Sequence, residues 1–363
     1  MARSEKASPF GRVKKVVVNL FLGANLVTLF LLWICCATTW ISPFLYPHIA
    51  FVGLAFPVFL VLNICFVFLW LVYKPKLVAI PILGMALCGG YILDYYPLNF
   101  LPSEDKPELT VLTWNVHYMA NYQGDSLVYA TDYVAHHDAD IMCLQEHMFG
   151  AEKYQAMYDT LKARGYYIDH CSERVLISRF PILNIESLPV STSLFNGVLC
   201  ADLLYGEDTL TVFTVHLESY AFSPDDKDQY QAFIHSPERN KLKSEIGYFV
   251  HKIGVASSYR ANQVKAILHH IDSLPDGRSI LLCGDFNDTP ISYAYQTVNR
   301  CFENAFRNRG CGVGISYNEK FFPVRIDHIF YSSDWQCTEA YVDSSITASD
   351  HYPVVAGLKK RRK

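Results

Sequence analysis

The sequence predicts a mixed α/β domain preceded by three transmembrane helices. Two long N-terminal runs and a third, shorter one are apolar and almost free of charge. Beyond them, short apolar strand patterns alternate with amphipathic helical ones, as in a sheet covered by helices. Those strands end repeatedly in carboxylate, amide or imidazole side chains. Strand ends at one sheet edge are where open α/β folds build their sites.

The spans come first. Val16 to Trp40 holds no charged residue across 25 positions, and Ile49 to Tyr73 again holds none. Leu77 to Leu93 is the shorter run, with Pro81 near its start. Roughly 20 apolar residues cross a bilayer as a helix. Buried core helices are the plain alternative. A cleaved signal peptide is disfavoured, because the first run is too long and two more come after it. The expected anchor is residues 1–96, with helices at about 16–40, 49–73 and 77–95. Arg3, Lys6, Arg12, Lys14 and Lys15 precede the first run, and Lys74 and Lys76 come just after the second. The loop Ile41 to His48 has neither Lys nor Arg. By the positive-inside rule the N-terminus and the Lys74–Lys76 loop are cytoplasmic. Everything after about Tyr96 then lies on the other side, if the third run crosses.

Residues 97–108 read as a linker, with three prolines, several charges and no periodicity. Twelve residues reach at most roughly 40 Å, so the domain beyond them works close to the bilayer. Residues 109–358 are long enough for one large domain with a substantial core. The basic tail 359–363 reads as a solvated end, with anionic-lipid contact as the sharper option.

Charge narrows the partners. The chain carries 31 basic and 35 acidic residues. Residues 1–96 hold 7 and 2 of them, leaving 24 and 33, a net of −9, or −14 without the tail. Nucleic-acid binders usually present a basic surface, so processive work on DNA does not fit. Cysteines decide little. Four of the eleven lie in the spans, and Cys143 and Cys283 sit in apolar strand patterns as small buried thiols. Cys301 and Cys311 are spaced to allow a disulfide that nothing forces.

The central stretch is Ser279-Ile-Leu-Leu-Cys-Gly-Asp-Phe-Asn-Asp288. An apolar strand stops at Gly284, where a backbone turns tightly, and presents Asp285, Asn287 and Asp288. That set suits hard-metal or phosphate chemistry better than packing.

The other strand ends match it in character. Leu109 to Val116 alternates into a strand carrying Asn115 at its end, and Asp125 to His137 comes next as a helix. Ile141 to Gln145 delivers Glu146, which alone would read as a solvated charge. Ala151 to Arg164 is another helix, and Ser172 to Pro181 a strand entered through Glu173. Val198 to Leu204 and Leu210 to Leu217 form strands around Gly206, with His216 near the second one's end. A strand histidine is more often structural than catalytic. Ser219 to about Ser257 is charged and helical in pattern, and Ser258 to Ile271 continues as an amphipathic helix. Phe322 to Tyr331 reads as a strand with Asp327 in its middle, and an unpaired buried carboxylate there needs a partner. Ser349-Asp350-His351-Tyr352-Pro353 precedes the last strand, Val354 to Leu358. Its bland reading is an exposed turn.

Six motifs in order, Trp-Asn, Gln-Glu, Val-His-Leu, Gly-Asp-Phe-Asn, Ile-Asp-His and Ser-Asp-His-Tyr-Pro, resemble the endonuclease/exonuclease/phosphatase superfamily over roughly residues 109–358. Its deoxyribonuclease I-like, membrane-anchored members in Bacteroidetes-type bacteria are closest in style. The resemblance implies a four-layer α/β/β/α sandwich and a metal-dependent phosphoric ester hydrolase on the outer face of a bacterial inner membrane. It implies Glu146 as main Mg²⁺ ligand (Mn²⁺ as the alternative ion), with Asn115 beside it and Asp350 completing the metal environment. His351 would sit on the scissile phosphate, oriented by Asp327. Asp285 would align or deprotonate water, Asn287 would hold a phosphate oxygen, and His216 would add a second donor. Glu173 falls where such proteins pair a carboxylate with this histidine.

Substrate is less constrained. The segment between His216 and Gln263 resembles a substrate-side insertion, whose Tyr230, Phe233, Tyr248 and Phe249 would touch lipid or pack. Arg260 and Gln263 would line the cleft or support it. The acidic domain and short tether favour a membrane-proximal phosphodiester or phosphomonoester, such as a phospholipid headgroup, over DNA or RNA. A catalytically inactive binding module is the reading from another class. No protein partner is evident.

Overall fold

The computed structural model describes residues 9–119, 125–190, 195–220, 239–319 and 322–361. The strands are β1 (Leu109–Asn115), β2 (Ile141–Gln145), β3 (Tyr167–Cys171), β4 (Arg174–Ser178), β5 (Ile182–Leu188) and β6 (Gly197–Tyr205), then β7 (Asp208–His216), β8 (Ser279–Asp285), β9 (Glu303–Asn304), β10 (Asp327–Tyr331), β11 (Trp335–Val342) and β12 (Val354–Lys360). They form two six-stranded sheets, in the orders β11-β12-β1-β2-β4-β3 and β5-β6-β7-β8-β10-β9. In each sheet one central pair is parallel, β1 with β2 and β7 with β8.

The two sheets pack face to face. Leu109, Val111, Ile141 and Leu176 of the first meet Leu199, Val212, Leu281 and Ile329 of the second. Outside the first sheet, Leu112, Trp114 and Met142 pack against helices Asp125–His136 and Gln155–Ala163. Outside the second, Phe213, Leu282 and Phe330 are covered by Val264 and Ile267 of helix Arg239–Asp272 and by Tyr295 of helix Tyr293–Asn299. The architecture is the four-layer sandwich. With both faces covered, β8 is buried at every position, which is why it reads as an unbroken apolar run.

Several boundaries differ from the sequence expectation. Ser172 to Pro181 is the turn and second strand of a β3–β4 hairpin. Strands β3, β5 and β11 have no sequence signal of their own. The first two are edge strands buried on at most one face, and β11 is an edge strand with a register shift between Cys337 and Glu339. Asp327 opens β10 rather than lying mid-strand, because the segment before it leaves the sheet to pair with Tyr317. The helical pattern around Ser258 is not a boundary, since one helix runs unbroken from Arg239 to Asp272. Tyr230 and Phe233 lie outside the described residues. All eleven cysteines are free, Cys301 and Cys311 included.

Gly284 fixes how closely β7 and β8 approach. Its φ is +150°, and a Cβ there would fall 1.9 Å from the Val215 carbonyl oxygen. Replacing Gly284 with Ala is expected to destabilise the domain by about 4 kcal/mol or more, since backbone rather than a side chain must move. Thermal unfolding checks this, and an unchanged midpoint would contradict it.

In the N-terminal region, two helical stretches, Arg12–Trp40 and Ile49–Tyr73, are long and apolar enough to cross a membrane. The third is not straight: Pro75–Ala86 and Gly89–Tyr95 meet at 70°. The cause is local. Trp33 Nε1 donates to the Gly84 carbonyl at 2.9 Å, the Cys88 amide closes a short turn on Met85, and Gly89-Gly90 restart the helix.

The N-terminal helical region meets the α/β domain directly. Ser258 Oγ donates to the Pro43 carbonyl at 2.8 Å, and Gly254 lies against Pro47 so closely that a Cβ would clash. Arg300 donates to the Thr39 carbonyl and covers the Trp40 ring at 3.9 Å. Asp94, buried at the end of the third helix, accepts from Gln296 at 2.7 Å and pairs with Arg307. Residues 98–99 are not free either: Asn99 donates to the carbonyls of Arg307 and Gly310. Removing the Arg307 cation leaves Asp94 without its counter-charge, so Arg307→Ala is expected to loosen this junction. Faster cleavage after the exposed Glu104 by a glutamate-specific protease would report it, and unchanged cleavage would speak against a coupling role.

Candidate active site

The strand register assembles the centre. His216 ends β7 opposite Asp285 at the end of β8, and Asp327 opens β10 opposite the same Asp285. From the facing sheet, Asn115 ends β1 beside Gln145, which hands the chain to Glu146. Carboxylates and imidazoles from both sheets therefore converge on one rim.

Asp285 is the hub. Its Oδ1 accepts the Asn287 amide at 2.7 Å and its Oδ2 accepts Asn115 Nδ2 at 3.1 Å. His351 Nε2 and His216 Nε2 lie 3.8 and 3.9 Å from that same Oδ2. Asn115 Nδ2 also reaches Glu146 Oε1 at 2.9 Å, and His216 Nε2 lies 3.5 Å from it. His351 Nδ1 is 2.8 Å from Asp327 Oδ2, which supplies the partner that the buried carboxylate required. Around this pair, Trp114 Nε1 donates to the His351 carbonyl at 2.9 Å, Ser349 Oγ bonds the Asn115 carbonyl, and Ser316 Oγ accepts the Asp327 amide. The turn carrying His351 is thus held from three sides.

Burial and charge push the acids and imidazoles apart. Burial holds the Asp285 carboxyl up at about 7, with the neighbouring Asp327 charge adding to it against the pull of His351. Burial alone would lower His351, but Asp327 and Asp285 outweigh it and raise the imidazole to about 10. For His216 burial prevails over Glu146 and lowers it, so this ring stays neutral. One charged and one neutral imidazole flanking a raised carboxyl is the kind of split that assigns acid and base roles.

Glu146, Asp350 and Asn115 fit a hard cation. Glu146 and Asp350 are less buried than the Asp285 cluster and converge on one ring, with His117 Nδ1 3.2 Å from Asp350 and 3.8 Å from Glu146. The Asp350 hydrogen bond, opposed by burial, raises His117 above its ordinary value. Asp285, Asp327 and His351 also cluster closely enough to hold an ion. Their enclosure and the Asp327–His351 hydrogen bond suit proton sharing better, and oxygen donors open to water suit Mg²⁺.

One expectation changes, and one open alternative is decided. Glu173 hydrogen-bonds Tyr118, while the carboxylates at 3.5 and 3.9 Å from His216 are those of Glu146 and Asp285. Glu173 projects from the β3–β4 turn toward the loop after β1, which delivers the phenol first. Arg260 and Gln263 are support: Arg260 is fully buried, with Nε 3.0 Å from Asp288, and Gln263 Oε1 accepts the Glu218 amide at 2.9 Å. Asn287 donates to the Leu217 carbonyl at 3.0 Å, which fixes its amide at the rim.

No motif points to His117 or Tyr118. Both have positive φ, as do Glu146 and Asn287. Left-handed non-glycine residues cost of order 1–3 kcal/mol each and gather at functional sites. The only sequence signal for His117 is its place two residues after Asn115.

The description "Endonuclease/Exonuclease/phosphatase family" matches residues 112–351. The chain belongs to that family. Family members are generally phosphoester hydrolases that typically use divalent metals. Residues 18–95 match a Domain of unknown function (DUF8431). The human Nocturnin catalytic domain, solved with a bound sulfate, has a TM-score of 0.50 at 15% identity, covering 71% of this chain and 96% of that one. A humanized D. rerio TDP2 gives 0.47 at 18% identity over 69% and 99%. Carbon catabolite repressor protein 4 homolog 6 of Arabidopsis thaliana is 28% identical over 175 residues, 44% of this chain. The chain spans 21% of that relative. At 15% identity the likeness to the Nocturnin domain shows the fold alone.

Proposed function

We propose that the chain is a membrane-anchored, Mg²⁺-dependent phosphoesterase that hydrolyses a phosphodiester or phosphomonoester at the outer face of a bacterial inner membrane, with a phospholipid headgroup as substrate. One observation carries the membrane part. The loop between the first two apolar helices is bound to helix 254–258 through Pro43 and Pro47. The same helix carries Arg260 to Asp288, three residues from Asp285. The rim of the sheets is therefore tied to the place where the first span leaves the bilayer. This contact also favours a third crossing by the bent helix pair, because the domain must share a side with that loop.

Asn115, Glu146 and Asp350 would hold the ion, which supplies charge neutralisation at the phosphate. The chain's own groups do the rest. Asp285 takes a proton from water as its oxygen bonds to phosphorus. Protonated His351, fixed by Asp327, passes its proton to the leaving oxygen as the opposite P–O bond breaks, and neutral His216 donates a hydrogen bond to a phosphate oxygen. Asn287 holds a further oxygen, and Glu173 steadies the rim through Tyr118.

A panel run on the full chain in vesicles tests the substrate: phosphatidylinositol, sphingomyelin, other phospholipids, plasmid DNA and a soluble phosphodiester, each with Mg²⁺ and with EDTA. The expected result is headgroup release that EDTA stops. Nicking of DNA alone would replace this reading with the nuclease one. Tight binding of lipid without turnover would point to the inactive module.

A further inference from the structure

Helix 239–272 has three faces with three different neighbours. Ile253, Ala256 and Arg260 are buried against the domain. Gly254 and Ser258 meet Pro47 and Pro43 of the anchor. On the next face, Tyr248, Val255 and Tyr259 are exposed, with Lys252 5.3 Å over the Tyr248 ring. At about 100° per residue this stripe lies directly beside the edge that touches the anchor. Across that edge the loop presents Trp40, Phe44, Leu45 and Tyr46, all exposed as well. An apolar surface thus continues from the end of the first span, over the loop and onto the helix.

We infer that the Tyr248–Val255–Tyr259 stripe rests in the headgroup layer of the bilayer that the anchor spans. The inference rests on the membrane-anchored reading above. Two tyrosines and a lysine around a small apolar strip match the chemistry of that layer, where amphipathic rings and a cation each find a partner. Continuity with the anchor selects lipid as the occupant. Since Arg260 on the same helix is tied to Asp288, the seating of this stripe sets the height of the active-site rim above the membrane.

The test places a photocrosslinking amino acid at position 255, 259, 61 or 183 of the full chain. Val61 is an exposed position of the second span, and Leu183 an exposed one at the sheet end away from the active-site rim. Each variant is irradiated in vesicles of tagged phosphatidylethanolamine and phosphatidylglycerol. Lipid adducts at 255 and 259 are expected roughly tenfold above those at 183, as for side chains in the headgroup boundary rather than in water. Adducts at 61 without any at 255 and 259 would overturn the inference and leave the anchor standing. No adducts at 61 would remove both. Adducts of 255 and 259 to protein instead of lipid would overturn it in favour of a protein partner.

Discussion

Replacing Asp327 with Asn is expected to lower turnover by about 10²–10⁴-fold, the range for losing control of a catalytic proton. Asp327 holds His351 at 2.8 Å and, with Asp285, overrides burial to raise the imidazole to about 10. Asparagine keeps the shape and removes the charge. The His351 value must then fall, and the alkaline limb of the pH–rate profile must move to lower pH. The same linkage bears on stability. A histidine raised from 6.5 to about 10 contributes stability that is full below 6.5 and is lost as pH rises toward 10. The variant should lack that slope. A profile with unchanged limbs would show that Asp327 serves packing alone.

Glu146→Gln is expected to reduce metal-supported turnover by at least about 100-fold and to weaken ion binding in parallel. Glu146 is held in the left-handed region at φ 52°, and its two oxygens face different partners, Asn115 and His117. The amide removes the charge that would balance the ion while leaving that backbone in place. Mn²⁺ titration followed by electron spin resonance reads binding separately from activity. Normal ion affinity with lost turnover would move Glu146 out of the metal set. If neither changed, Glu146 would have no part in the metal site or in the reaction.

Asn115, Glu146, His216 and Asp285 were legible because each lies at or just past the end of a strand whose apolar run is unmistakable, while Asp350 and His351 sit in the turn before β12. Asp285 and Asn287 come after Gly284 with no insertion, so strand and site are read together. What the sequence hides depends on distant contacts. His117 and Tyr118 matter only because the chain turns left-handed after β1 and meets Asp350 and Glu173. Glu173's partner could not be inferred from its neighbours for the same reason. The bend in the third apolar helix requires Trp33 from another helix to take the Gly84 carbonyl. Edge strands β3 and β5 escape notice because β3 has no fully buried residue and β5 only one, Leu188.

The central claim is that the Asp285–His351–Glu146 cluster hydrolyses phosphoesters with a divalent ion. Its most direct test is turnover of phospholipid vesicles and a soluble phosphodiester by the full chain in heavy-oxygen water, with Mg²⁺ or EDTA, beside His351→Ala. The account predicts Mg²⁺-dependent turnover that places the heavy oxygen on the phosphoryl product and is lost in the variant. Turnover indifferent to EDTA and to His351, or label found on the alcohol, would contradict it.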